Sequence, residues 1–340
     1  MIVYTQFSPV PVHVTLHKAM AESGFELRYF RFFFVPIRPA VVFIHFPDEV
    51  VDTPSTWKML VKFCAFILSI LATRLFGSRI VWEINNIQSH ERRYPLFEGI
   101  LMALLTRSVA GVMHNSDSGM RAALDTYPAL KRAQWMVVPE SNFRHVYPER
   151  GDAARGRRIL GVKEGETVLL TFGLIRRYKG ADKLIELFTQ IEGAALRLVI
   201  AGAPVDRAYA EELQQAAQLD SRIHLIFQSI PDEEVPHMYA AVALVCAPFR
   251  AVLNSASVLL ALSCGCPVIA SRLGTMPDLE EQVGTDWLML YDGELDLSTM
   301  CKAIEWARVL RPLPPELRFC DFERVATDTM AFLKQIGAAR

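Results

Sequence analysis

Short apolar runs rich in β-branched residues alternate with longer amphipathic stretches along the whole chain. In the first half, strand-like runs fall at 2–5, 27–30, 40–45, 79–84, 109–114 and 135–138. Helical spacing predicts helices between them over 12–23, 57–76, 96–106 and 117–127. The second half repeats the rhythm, with strands at 168–172, 196–201, 223–227, 244–247, 267–270 and 287–290. Its helices are expected over 181–190, 208–219, 232–241, 255–264 and 298–310. Continuously apolar strands separated by helices predict parallel sheets covered on both faces, an α/β architecture. The polar, glycine-bearing stretch 148–161 reads as a linker, and Arg311-Pro-Leu-Pro-Pro315 as a second break before a last helix over 322–336. Two doubly wound, Rossmann-like domains are expected, at 1–150 and 151–312, facing each other across a cleft. A C-terminal segment, 313–340, would pack back on the first.

The strand at 168–172 breaks at Gly173, and the chain reopens as a helix after Gly180. Such a loop lies at the carboxyl edge of a sheet, where open α/β folds bind ligands. It carries Arg176, Arg177 and Lys179, a cation set suited to a doubly charged anion such as a diphosphate. Further on, Asn254 reads as the cap of a helix whose first turn is Ser255-Ala256-Ser257. Small side chains there would leave free N–H groups open to an anion, assisted by the helix dipole. An ordinary capped core helix fits that segment equally well.

In the first half, His45 and Asp48 end one strand, and Asn85, Asn86, His90 and Glu91 follow the next. A reaction in which a hydroxyl attacks needs a base for its proton, and a carboxylate or histidine within hydrogen-bond reach supplies it. Taken singly, each of these residues is more often a surface charge or a cap than a catalytic group; several polar groups ending two adjacent strands shift that balance. Ser116 or Asp117 reads as the cap of the next helix. Glu140 and Asn142 follow the last strand of this half, where they could line a cleft near a hinge.

Composition narrows the field. The net charge of −1 over 340 residues argues against a general nucleic-acid binder. Six cysteines, none in a C-x-x-C pair, read as reduced thiols rather than as disulfides or metal ligands. The opening residues read as a strand, not as a cleavable signal. The segment 57–76 is strongly apolar, yet its uncharged stretch between Lys62 and Arg74 is only 11 residues, against roughly 20 for a span. Lys58, Lys62, Arg74 and Arg79 flank it, as for a helix lying on an anionic lipid surface. An interior helix under a parallel sheet is the other reading.

In this order, the segments resemble a GT-B glycosyltransferase, and more narrowly the bacterial exopolysaccharide group of glycosyltransferase family 94 with relatives in family 4. The resemblance rests on Phe172-Gly-Leu-Ile-Arg-Arg-Tyr-Lys-Gly180, Asn254-Ser-Ala-Ser-Val-Leu-Leu-Ala-Leu-Ser263 and Trp287-Leu-Met-Leu-Tyr-Asp-Gly-Glu-Leu-Asp296, and covers roughly residues 45–295. It implies a GDP- or UDP-linked sugar donor held by the second domain, through Gly173, Arg176, Lys179, Asn254, Ser255, Ala256 and Ser257. It implies no metal and no further cofactor. The acceptor would be a polyprenyl-diphosphate-linked saccharide at the first domain, near His45, Asn85, Asn86, Glu140 and Asn142. Asp48, His90 and Glu91 are the candidate bases of an inverting transfer of mannose or glucuronic acid. The glucuronic acid case would be a β-1,4-glucuronosyltransferase acting on a glucosyl-lipid, with Arg144 or Arg250 meeting the donor carboxylate. The expected place is cytoplasmic, peripheral at the inner face of the plasma membrane, with contact through the first domain. A nucleotide-sugar epimerase, a phosphorylase or a catalytically silent scaffold of the same fold are the rival readings.

The chain also departs from the pattern. Val252 and Leu260 replace the two glutamates of family 4, Ala256 replaces a glycine, and Asn85 replaces a histidine. Two histidines of family 94 are missing around Glu140 and Asn142.

Overall fold

The computed structural model describes residues 1–6, 11–36, 39–88, 93–147, 151–309, 311 and 313–338. They form two compact units: Met1–Ser141 with Phe322–Arg340, and Asn142–Asp321.

The first unit runs β1 (Ile2–Gln6), α1 (Pro11–Glu22), β2 (Glu26–Phe30), β3 (Val41–Ile44), α2 (Thr56–Leu75), β4 (Arg79–Glu83), α3 (Pro95–Ser108), β5 (Val109–His114), α4 (Asp117–Thr126) and β6 (Gln134–Val137). The strands form one parallel sheet in the order β2-β1-β3-β4-β5-β6. All four residues of β3 are buried, as a strand covered on both faces requires.

The second unit runs α5 (Ala153–Leu160), β7 (Thr167–Phe172), α6 (Ala181–Phe188), β8 (Leu196–Ala201), α7 (Arg207–Ala217), β9 (Ile223–Ile226), α8 (Val235–Ala240), β10 (Leu244–Ala247), α9 (Ala256–Ser263), β11 (Val268–Ser271), α10 (Met276–Val283), β12 (Leu288–Tyr291) and α11 (Leu297–Ala307). Its sheet is parallel too, in the order β12-β11-β10-β7-β8-β9. The last helix, α12 (Phe322–Ala338), belongs to the first unit, where Val325, Phe332, Leu333 and Ile336 are buried against Val3, Val41, Phe43 and Val81.

Each sheet has one place where the strand order reverses. In the first it lies between β1 and β3, in the second between β7 and β10. The carboxyl ends of those strands are where a doubly wound sheet leaves a crevice for a ligand.

The stretch read as a linker is in part helix α5. Asp152 caps it by accepting from the N–H groups of Ala154 and Arg155, and Gly161 ends it at φ 67°. A Cβ on Gly156 would stand 1.9 Å from the His237 carbonyl oxygen, so this glycine serves close packing on α8 rather than flexibility. The chain passes between the units at Ser141/Asn142 and again at Asp321/Phe322.

Helix α2 is buried along one side and exposed along the other. Phe66 and Ile70 are buried in the core beside Val42, Ile44 and Trp82. The opposite side leaves Trp57, Val61, Cys64, Leu68, Leu71 and Leu75 exposed, spaced four and three residues apart. Among the described residues no helix is long and apolar enough to cross a membrane.

Candidate active site

The loop after β7 is built on glycines that only glycine can serve. Gly173 has φ 102°, and Gly180 has φ 71° with its α-carbon pressed against Pro248, where a Cβ would meet the carbonyl oxygen at 2.2 Å. Between them Arg176 is extended and Arg177–Lys179 form a 3-10 turn. The three cations are not equivalent. Arg177 makes two bonds to Glu212, at 2.6 and 2.7 Å, and lies over the Tyr209 ring. Arg250, from the loop after β10, is paired with Asp182 at 2.5 Å. Arg176 and Lys179 have no carboxylate within ion-pair distance among the described residues. The Lys179 ammonium is 3.5 Å from the Phe172 carbonyl oxygen. Burial, together with the Arg176 charge, pushes the lysine down to about 8. Two neighbouring cations without a counter-charge at a sheet's reversal point call for an anion.

The loop after β10 leads to α9 on the same reversal point. Its cap is Ser255, not Asn254: the Ser255 hydroxyl accepts from the Val258 N–H, and the helix starts at Ala256. Asn254 lies one residue before the cap. Ser255 Oγ is 3.0 Å from Ser257 Oγ, and Ala256 is exposed, so the helix start is open to solvent.

The first sheet presents a different chemistry at its edge. Gln6, at the end of β1, accepts from the N–H groups of His45 and Phe46, both at 2.8 Å, and fixes the turn after β3. The His45 ring is buried. Its Nδ1 contacts the Glu83 carboxylate at the end of β4, and its Nε2 lies 3.1 Å from Thr5 Oγ1. Burial alone would raise the Glu83 carboxyl. The charge and hydrogen bond of His45, with His13 and Asn85, instead hold it at about 2. His13 stacks on His45 with ring centroids 5.1 Å apart, and His17 Nε2 is 3.5 Å from Thr5 Oγ1. Burial first, and then the His45 charge, lowers both histidines to about 4.

Asp48 sits half-buried in the turn Pro47–Val50 and accepts from Asn86 Nδ2 at 3.2 Å. Burial raises its carboxyl to about 6. Asn85 Nδ2 donates to the His45 carbonyl at 3.4 Å. Glu140, beyond β6, is pushed up to about 7 by burial and then by the Glu83 charge.

The family of glycosyl transferases, group 1, matches residues 152–289, which take in the β7 loop and the start of α9. The chain is a glycosyltransferase. It is 26% identical over 287 residues to a GDP-mannose:glycolipid 4-beta-D-mannosyltransferase of Xanthomonas campestris pv. campestris, covering 84% of this chain and 76% of that one. Solved structures share its GT-B fold. Anabaena HepE in complex with UDP and glucose superposes with a TM-score of 0.71 at 16% identity, over 98% of this chain and 100% of the other. Sucrose-phosphate synthase of Thermosynechococcus elongatus gives 0.70 at 16% identity, over the whole of both chains.

In this glycosyltransferase the sequence-derived donor residues Gly173, Arg176, Lys179, Asn254, Ser255, Ala256 and Ser257 all lie at the β7–β10 reversal of the second unit. His45, Asp48, Asn85 and Asn86 gather at the β3 and β4 ends of the first. His90 and Glu91, the other two candidate bases, lie outside the described residues. Asn142 is not a ligand-facing residue. It is 1% exposed, donates to the Leu317 carbonyl and Asp321 carboxylate at 3.1 and 2.7 Å, and accepts from the Arg144 N–H. It fastens the segment where the chain enters the second unit to the segment where it leaves.

Sequence reasoning passed over His13, His17 and Glu83. Glu83 had a signal, a carboxylate closing the otherwise apolar Ile80-Val-Trp run. His13 and His17, four apart on the first helix, share one face by helical spacing alone.

Proposed function

We propose that this glycosyltransferase moves a hexose from a nucleoside diphosphate sugar to a lipid-linked saccharide. The observation that carries the reading is the pair Arg176 and Lys179, without a carboxylate partner among the described residues, at the reversal point of the second sheet. The diphosphate would meet those two cations and the open start of α9. The leaving diphosphate gains charge during transfer, and fixed cations stabilise that charge without reorganising.

The Xanthomonas relative's name gives GDP-mannose as its donor and a glycolipid as its acceptor, and HepE binds UDP and glucose. A neutral hexose, mannose first, fits the second unit better than glucuronic acid. Arg144 donates to the Pro315 carbonyl and Arg250 is paired with Asp182, so both arginines that could meet a donor carboxylate are already engaged. Transfer would be inverting, with Asp48 taking the acceptor hydroxyl proton. Its raised carboxyl matches a base working near neutral pH.

The acceptor's lipid implies a membrane, and α2 supplies a face for one. Its outward side is apolar from Trp57 to Leu75, and the helix carries Lys58, Lys62 and Arg74 and no acidic residue. That combination suits a helix lying in the surface of an anionic bilayer, here the inner face of the plasma membrane.

The test is incubation of the protein with labelled GDP- and UDP-sugars and bacterial membrane lipid. Sugar appearing on lipid, from one donor, is the expected result. Conversion of free nucleotide sugar without lipid would replace the reading with an epimerase. Binding without turnover would leave a scaffold.

A further inference from the structure

The first unit holds a cluster that the proposed transfer does not use. His13 on the first turn of α1, His45 beyond β3 and Glu83 at the end of β4 each offer a ligand atom, and those atoms lie within 4.8 Å of one another. We propose that these three residues bind a divalent transition metal of the zinc class.

Three observations converge on it. His45 has its two ring nitrogens assigned to different tasks: Nε2 faces Thr5 Oγ1, and Nδ1 faces the Glu83 carboxylate. With the metal on Nδ1, the Nε2–H would donate to the Thr5 hydroxyl oxygen, which would fix the tautomer and ring orientation as a second-layer acceptor does for a metal-bound histidine. Thr5 Oγ1 also reaches His17 Nε2, so the hydroxyl is itself held in place.

The second observation is His13. Its ring stacks on His45, and its Nδ1 is buried with no hydrogen-bond partner among the described residues. A buried polar nitrogen left unbonded is costly, and native structures avoid it. A cation shared with Glu83 would satisfy that nitrogen.

The third is the donor set. Two imidazoles and one carboxylate favour Zn²⁺ and its first-row neighbours over Mg²⁺ or Ca²⁺, which take oxygen ligands. Bonds of about 2.0–2.2 Å to nitrogen and oxygen are within side-chain adjustment of the observed spread. Three protein ligands leave a coordination position for water or a substrate oxygen. A hydroxyl bound there would become more acidic.

The site belongs to the first unit and the Arg176–Lys179 pair to the second, and its test does not depend on glycosyl transfer. Full-length protein is stripped with a chelator, loaded with ZnCl₂ or CoCl₂, desalted and assayed for metal. Wild type should retain one metal per chain and show the visible absorption of four-coordinate Co²⁺. His13→Ala and Glu83→Gln should each weaken binding by at least ~10–100-fold, the loss typical even for a ligand's supporting partner. Thermal melts of the metal-free proteins report whether each variant folds. Should Glu83→Gln not fold, His13→Ala decides, because the His13 side chain is only half-buried and its Nδ1 has no hydrogen-bond partner among the described residues. Wild type that leaves the desalting column without metal overturns the proposal, and so does full retention in His13→Ala.

Discussion

A Cβ placed on Gly173 would stand 3.0 Å from the Lys179 ammonium nitrogen. The glycine therefore does two things at once. It adopts a φ of 102° that side chains resist, and it leaves room for the lysine. Gly173→Ala should fold, yet bind GDP and UDP at least several-fold more weakly. Calorimetric titration reads this directly, and unchanged affinity would detach the glycine from the donor site.

The unequal roles of neighbouring cations give a sharper contrast. Arg176→Ala and Lys179→Ala should each lose ~10-fold or more in nucleotide affinity, since a charge-assisted bond contributes roughly 1.5–3 kcal/mol. Arg177→Ala should stay within a few-fold of wild type, because its guanidinium is held by Glu212 on the surface. Equal losses at all three positions would contradict the distinction.

Lys179 also sets a pH dependence. Held near 8 without a ligand, it gains a counter-charge on binding a diphosphate and takes up a proton. Affinity should therefore fall as pH rises through about 8. Titrations in buffers of different ionisation enthalpy should show net proton uptake at that pH, and Lys179→Met should abolish it.

For Asp48 the signs of activity and stability oppose each other. A base must be ionised, so kcat/KM should rise with pH through about 6. The same raised carboxyl means that the folded state holds its proton more tightly than the unfolded one between 3.8 and about 6. Its contribution to stability is present at low pH and is lost as pH rises through that window. Asp48→Asn should flatten both profiles and cut turnover by about 100-fold or more, the scale of a general base. A variant that keeps the rising activity limb would move the role to another group.

The outward face of α2 predicts flotation with vesicles rich in anionic lipid, weakening as salt rises. Trp57, Leu68 and Leu75 are 74%, 59% and 82% exposed. Leu68→Glu with Leu75→Glu should therefore leave the melting temperature nearly unchanged while abolishing flotation. Retained flotation would acquit this face.

Much of the architecture was legible because each strand announces itself locally. All twelve apolar runs agree with the observed strands to within one residue at either end. Helices α5 and α10 were not legible. The first is short, charged and carries Gly156, whose purpose, close approach to His237, appears only in three dimensions. The second buries only Met276 and Val283, too little for a periodic signal. In the β7 loop the glycines and cations were readable from sequence, but pairing with Glu212, 35 residues away, decided which arginine was engaged. Asn142 shows the same limit. Its partners Leu317 and Asp321 lie 175 and 179 residues downstream, beyond any local pattern. Whether Asn254 or Ser255 caps α9 is a contest between two good capping residues, which the path of the preceding loop settles.

The return of α12 to the first unit has a consequence for synthesis. As the chain emerges from the ribosome, the first sheet is complete once β6 has appeared, yet one face still lacks Val325, Phe332, Leu333 and Ile336. The entire second unit must be translated before that cover arrives. The apolar residues Val3, Val41 and Val81 meanwhile wait on a half-dressed sheet, a natural client surface for a chaperone. The part made first is therefore the part finished last.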